Sequence, residues 1–291
     1  SLRRQRQMCI RDSMRKECAG MNYKMIALDL DGTLTNSDKI ITPDTKEALF
    51  TFQKHGGRIV LASGRPTQGI VPLAEELELA KYGGYILAFN GSRIMDCKTG
   101  EVLFNQTLKM EQTAKLHALA QKYEINILTY EGDTIYTEDD QEPYGRIEKK
   151  ITKMPMVKVP DISKAVSTPV NKCLMTGEPG KVAYVEEQVR KAMGDEINLY
   201  RSQDFFLELV PQNVDKAASL DSLLEKLHLD STDLIACGDG FNDLSMIQYA
   251  GLGVAMSNAH IDIRKAADFI TLSNDEDGVA HVLEKFVFHA A

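Results

Sequence analysis

The chain has 291 residues, enough for one or two domains. Its 43% apolar and 26% charged content is ordinary for a globular protein, and a net charge of −8 argues against nucleic acid or an anionic membrane as the main partner. No run nears the ~18 consecutive apolar residues that cross a bilayer, and five scattered cysteines (Cys9, Cys18, Cys97, Cys173, Cys237) without a C-x-x-C pair disfavour a zinc or disulfide framework and suit a reducing cytoplasm.

Residues 1–20 are arginine-rich (Arg3, Arg4, Arg6, Arg11, Arg15), lack an apolar signal region, and are expected to be a disordered or non-native extension. After Met21, the apolar run Lys24 to Leu28 reads as a buried strand stopping at Asp29. Thr42 and Pro43 open a helix as N-cap and first helical position, and Gly56-Gly57 closes it. Arg58 to Ala62 and Tyr85 to Phe89 read as two further buried strands. Strands that are apolar throughout and alternate with helices predict a parallel sheet covered on both faces. From about Ser92 the texture changes to a polar hairpin, 92–96 and 101–104, followed by helices over 111–123 and 181–193. The first texture then returns, with a helix over about 215–227, strands over 234–237, 251–255 and 268–271, and a last helix over 279–287. The expected fold is therefore α/β. A discontinuous Rossmann-like core, residues 21–91 and 206–291, would carry an inserted α+β domain, residues 92–205.

Ligands of an open parallel sheet bind beyond the carboxyl ends of its strands. Asp29-x-Asp31-Gly32-Thr33, Ser63-Gly64-Arg65, Asn90-Gly91 and Gly238-Asp239-Gly240-Phe241-Asn242-Asp243 all fall at such ends, and Lys216 follows the return to the core at Pro211. Asp29, Asp239 and Asp243 brought together repel one another unless a divalent cation lies between them. Oxygen ligands of this kind suit Mg²⁺, which also joins a carboxylate nucleophile to a dianionic phosphate. Asp31, just past the strand, is placed to protonate a leaving oxygen and then to activate water. Gly32 allows the turn between them. Ser63, Gly64 and Lys216 offer a hydroxyl, a backbone N–H and a point charge to the phosphoryl oxygens. Arg65, Asn90 and Gly91 are assigned to the substrate.

In that order these motifs closely resemble the haloacid dehalogenase superfamily, and the insertion before Lys216 resembles the type IIB, Cof-like branch of sugar phosphatases, with a C2B-type cap. The resemblance runs from Met21 to the C-terminus. It implies Asp29 as nucleophile, Asp31 as acid/base with its carbonyl also on Mg²⁺, Asp239 as a metal ligand, and Asn242 and Asp243 as supports of metal and phosphate. It also implies Ser63 and Lys216 as phosphate binders and a small phosphorylated metabolite, often a hexose phosphate, as substrate. The expected assembly is a monomer or weak homodimer, with no nucleic acid or membrane partner. Ala217 stands where the family usually has glycine after its lysine.

Two other readings compete. A phosphosugar mutase would use the same core but return the phosphoryl group to a sugar, and a non-catalytic phosphosugar-binding regulator would show a damaged nucleophile or metal ligand, which this chain lacks. Ser273-x-Asp275-x-Asp277-Gly278 nearly spells a calcium loop but starts with serine, and is read as a cap for the last helix. Gly177 to Lys181 lacks the first glycine and the hydroxyl of a P-loop. The six histidines show no metal spacing and are read as surface or packing residues.

Overall fold

The computed structural model describes residues 23–288, so the expectation for residues 1–20 lies outside the described part. The first strands, β1 (Met25–Leu28), β2 (Arg58–Ala62) and β3 (Tyr85–Ala88), alternate with helices α1 (Pro43–Lys54) and α2 (Thr67–Glu76). Thr42 caps α1 through its side chain, with Pro43 in the first turn, as read from the sequence. A hairpin, β4 (Arg93–Asp96) and β5 (Val102–Asn105), follows. The middle of the chain holds α3 (Met110–Lys122), β6 (Asn126–Glu131), β7 (Thr134–Thr137), α4 (Pro143–Thr152), β8 (Met156–Lys158), β9 (Cys173–Thr176), α5 (Pro179–Met193), β10 (Ile197–Gln203) and β11 (Phe206–Pro211). The chain then returns through α6 (Lys216–Lys226), β12 (Leu234–Gly238), α7 (Leu244–Tyr249), β13 (Leu252–Ala255), α8 (Ile261–Ala266) and β14 (Phe269–Ile270), followed by α9 (Gly278–Leu283) and a wider turn over 284–288.

The core sheet runs β14-β13-β12-β1-β2-β3-β4-β5, parallel throughout except where β4 and β5 fold back. Its pleat divides β1 between two apolar layers. Ile26 and Leu28 pack with Leu49, Phe52, Ile70 and Val282 from α1, α2 and α9. Met25 and Ala27 pack with Leu220, Leu223, Leu224 and Met246 from α6 and α7. This two-sided burial is why the strand reads as an unbroken apolar run. β1 lies between β2 and β12, so the chain leaves it in both directions and a crevice opens at its carboxyl end.

The inserted domain is a six-stranded sheet, β10-β11-β9-β6-β7-β8, mostly antiparallel. One face is covered by α3, α5 and the single turn Ile162–Ala165 through Leu116, Ala120, Ile162, Val182, Val185 and Val189. Leu128, Tyr130, Ile135, Leu174 and Phe206, on the other face, join the cluster that contains Phe89 of the core. The cap is thus seated on the core by this sheet face together with α4.

Both domain boundaries move relative to the sequence reading. The 93–105 hairpin extends the core sheet, with Leu87 opposite Ile94, and its polarity is that of an edge rather than of a separate domain. β11, expected in the core, is paired on both sides within the cap sheet. The two connections cross side by side where Gln106 Nε2 donates to the Gln212 carbonyl at 2.6 Å. The acidic 273–278 loop also differs from a simple helix cap. Asp275 accepts from the Ser37 N–H and hydroxyl, both at 2.7 Å, and Asp277 accepts from Thr42 and Thr45, so the loop pins the entrance to α1.

Candidate active site

Every element of the site is placed by backbone hydrogen bonds at the carboxyl edge of the core sheet. The Asp29 N–H donates to the Cys237 carbonyl at 3.0 Å, keeping the residue in register with β12 after β1 ends. Leu34 and Thr35 then donate back to the Asp29 and Leu30 carbonyls, closing a tight loop around Gly32 at φ +86°. A β-carbon at Gly32 would come within 2.8 Å of the Asp239 Cγ, so glycine is needed for the approach as well as for the turn. After β12, Asp243 Oδ2 accepts from the Asp239 and Gly240 N–H groups at 3.0 and 2.9 Å, which fixes the Asp239 loop against the sheet. Lys216 opens α6, whose N-cap Asp215 accepts from the Ala218 N–H.

Asp29, Asp239 and Asp243 present carboxylate oxygens within 4.8 Å of one another. The fully buried Lys216 lies among them: its Nζ donates to Asp29 Oδ1 at 2.7 Å, Asp243 Oδ1 at 2.5 Å and the Ala62 carbonyl at 2.8 Å. All three of its protons are therefore committed, and at rest it neutralises Asp29 and Asp243. Burial alone would lower Lys216, but Asp243 and Asp29 outweigh it and hold the ammonium above its ordinary value. The acids feel the deficit. Burial, then the charge of Asp243, push Asp29 well above the usual carboxylate range and Asp239 up to about 6. Three acids against one ammonium is a donor set that fits a hard divalent cation. Asp243, with both oxygens already bonded, would supply charge to such an ion, and Asp29 and Asp239 would be left to hold it.

Asp31 is in a different environment. Arg65 Nε and Nη2 grip its two oxygens at 2.9 and 2.8 Å, and Lys39 Nζ reaches Oδ1 at 2.8 Å. Burial raises this carboxyl, but Arg65 and Lys39 overcome it and the net displacement is downward. Two sequence expectations change here. The resting site favours ionised rather than neutral Asp31, and Arg65, assigned to the substrate, is committed to Asp31.

Ser63 is buried and its Oγ accepts from the Arg65 N–H at 3.1 Å, leaving its own proton to donate. A β-carbon on Gly64 would meet the Asn90 amide at 2.9 Å, so this loop approaches Asn90 closely. Asn90 accepts from Asn242 Nδ2 at 3.1 Å and donates to the Tyr200 hydroxyl of the cap. Asn242 therefore supports Asn90, and its amide is not among the groups bonded to the carboxylate cluster. Gly91, assigned to the substrate, packs against the start of α6. At φ +109°, its missing side chain makes room for the Asp215 carbonyl, 2.5 Å from where a β-carbon would sit, and its own carbonyl accepts from Ser219 Oγ at 2.6 Å.

Several contributors carried no assignment in the sequence reading. Thr33 Oγ1 donates to Asp239 Oδ1 at 2.9 Å, and Asn258 Nδ2 donates to the Gly32 carbonyl at 2.9 Å. Asn258 follows the end of β13, so the strand-end rule that found the other motifs reaches it too. Lys172, Glu208, Glu148 and Tyr200 come from the cap and have no local signal. A second acid-rich cluster, His117, Glu138 and Asp161, lies in the cap. Its imidazole lies between two carboxylates, with Nε2 at 2.5 Å from Glu138 and Nδ1 at 3.5 Å from Asp161, and Nε2 makes no well-angled hydrogen bond.

Fold and site together define a capped α/β protein with a parallel-sheet core and a cluster of carboxylates at the carboxyl edge of that sheet. The chain belongs to the haloacid dehalogenase-like hydrolases, whose family model matches residues 26–283. It is 31% identical over 268 residues to YxeH of Bacillus subtilis (strain 168), a provisionally assigned phosphatase, covering 91% of this chain and 98% of that one. A crystal structure of a haloacid dehalogenase-like hydrolase from Bacteroides thetaiotaomicron superposes with TM-score 0.88 at 48% identity, covering 90% of this chain and 99% of that one. The subclass IIB sugar phosphatase BT4131 shares the fold at TM-score 0.75 and 23% identity, covering 90% of this chain and 98% of that one. Among the described residues, no helix is long and apolar enough to cross a membrane.

Proposed function

We propose that the protein is a Mg²⁺-dependent phosphatase that hydrolyses small phosphorylated metabolites, sugar phosphates foremost, through an aspartyl-phosphate on Asp29. The observation that carries this reading is the convergence of Asp29, Asp239 and Asp243 on one point, with Lys216 paired to Asp29 and Asp243. Lys216 holds Asp29 Oδ1, which leaves Oδ2 to attack phosphorus as the bond to the leaving oxygen breaks. Bound Mg²⁺ would supply the positive charge that lets a carboxylate approach a dianionic phosphate. Ser63 Oγ–H and the Gly64 backbone steady the equatorial oxygens. Asp31, gripped by Arg65 and Lys39, is poised as the base that takes a proton from water attacking the acyl phosphate. For its acid role in the first step Asp31 must first take up a proton from solvent, which it then gives to the leaving oxygen as the ester bond breaks. The likeness to a sugar phosphatase supports the substrate class at the level of fold.

Phosphate release from a panel of metabolite phosphates, scored by kcat/KM, tests the reading. Turnover should need Mg²⁺, stop with chelator, and fall at least about 10³-fold in Asp29→Asn. Unchanged release by Asp29→Asn would refute it, and isomerised phosphosugar with little free phosphate would point to a mutase instead.

A further inference from the structure

Helix α4 of the cap has two unlike faces. Gly145, Glu148 and Thr152 are buried, whereas Arg146, Lys149, Lys150 and, one residue past the helix end, Lys153 are exposed. These four cations line an open cavity of about 620 Å³. Small-molecule sites span ~300–1,000 Å³, so the space is of ligand size. Pro143, Ile147 and Met154 supply its apolar lining.

The cations lack counterions. Among the described residues, no carboxylate forms an ion pair with any of the four. The acids nearest in sequence are committed elsewhere. Glu142, four residues before Arg146, caps the helix, accepting from the Gly145 N–H at 2.5 Å and the Thr176 hydroxyl at 2.7 Å. Glu148 points inward and accepts from the Tyr130 hydroxyl at 2.7 Å. Spacing sharpens the repulsion, because each cation has others three or four residues away, where side chains of a helix stand over one another. The helix dipole favours Lys149 and Lys150 in the last turn but gives no reason for Arg146 a turn earlier. Nor is the patch part of a generally basic surface, since the chain carries a net charge of −8.

An anion in the cavity would relieve this repulsion, and the layout limits which anion. From Arg146 to Lys153 the row runs about 10 Å along the helix. A single phosphate reaches part of that row, whereas a chain of phosphates extends along it. The apolar side chains beside the row suit a flat ring. A nucleic-acid duplex or a membrane surface, by contrast, would meet the acidic remainder of the protein.

We propose that this cavity is a second ligand site, apart from the carboxylate cluster. It takes a nucleoside polyphosphate, with the phosphates along Arg146, Lys149, Lys150 and Lys153 and the ring against Pro143, Ile147 and Met154.

Calorimetry on the full chain with ATP, tripolyphosphate and adenosine tests the site, in EDTA so that no Mg²⁺ holds a phosphate at Asp29 and Asp239. ATP should bind at least about fivefold more tightly than either fragment. Lys149→Glu with Lys150→Glu should weaken ATP at least about tenfold. The same charge change at two exposed lysines elsewhere, Lys98→Glu with Lys191→Glu, should weaken it less than about twofold. Should the first pair fail to fold, Arg146→Gln alone should still weaken ATP at least about threefold. Equal losses in both pairs would reduce the effect to net charge and overturn the proposal. So would tripolyphosphate binding as tightly as ATP, a loss confined to Ser63→Ala, or no ATP binding up to about 1 mM.

Discussion

Two carboxylates one residue apart in the Asp29-x-Asp31 pair are displaced in opposite directions. Burial and neighbouring acids raise Asp29, whereas Arg65 and Lys39 hold Asp31 down despite its own burial. Such divergence is how one short motif supplies two chemical roles. Glu148 illustrates the same physics in the cap, with a direct consequence for stability. Its folded-state value is raised, first by burial, so ionisation costs more in the native protein than in the unfolded chain. Stability from this residue is therefore full at acid pH and is lost as pH climbs from the ordinary carboxylate range through the raised value. The Tm difference, Glu148→Gln minus wild type, should accordingly become more positive between about pH 4 and pH 8. A difference that stays flat or declines with pH, followed by calorimetry, would contradict the buried-acid account.

At the scale of elements, α6 matters through the position of its first residue. Lys216 reaches three acceptors because Gly91 lets the Asp215 backbone descend onto the end of β3. Gly91→Ala would combine a left-handed φ of +109° with a side chain 2.5 Å from a carbonyl oxygen. We expect a loss of about 1–3 kcal/mol by denaturant unfolding, together with reduced kcat, because Lys216 retreats from Asp29. A variant as stable and active as wild type would show that α6 has no need of this contact. The 93–105 hairpin teaches the companion lesson. Its polar, turn-punctuated sequence was read as the start of a new domain, yet hydrogen bonding to β3 places it at the edge of the core sheet. Strand pairing between neighbours is invisible to local pattern, and polarity alone cannot separate an edge strand from a second domain.

For the whole molecule, the acidic site exists only when distant chain segments close together. Asp29 leaves β1 early in the chain, and Asp239 and Asp243 follow β12 more than two hundred residues on, with the entire cap folded between. A cation held by Asp29 and Asp239 can thus bind the folded state and hardly the unfolded one. Mg²⁺ at about a hundred times its Kd should raise Tm by roughly 5–10 °C in the wild type and by little in Asp239→Asn, read by differential scanning fluorimetry. Equal rises in both proteins would place the ion elsewhere. The cap acts at this scale too, since its core-facing sheet face shares an apolar cluster with Phe89 and brings the buried Lys172 to the Gly64 carbonyl.

What the amino-acid order determined by itself was the α/β core and which polar side chains stand at the carboxyl edge of its sheet. Apolar runs buried on both faces, glycines at forced turns and acids at strand ends are all local signals. That is why Asp29, Ser63, Lys216, Asp239 and Asp243 could be named in advance, and why the bounds of α1 and β2 hold to within a residue. Only tertiary structure decided what each group faces. It turned Arg65 onto Asp31, gave Gly91 to α6, moved both domain boundaries, and brought Lys172 of the cap to Gly64 of the core. The division has one physical reason. A residue's backbone conformation is governed by its near neighbours along the chain, whereas its charge partners are set by which surfaces pack together, and those surfaces lie far apart in sequence.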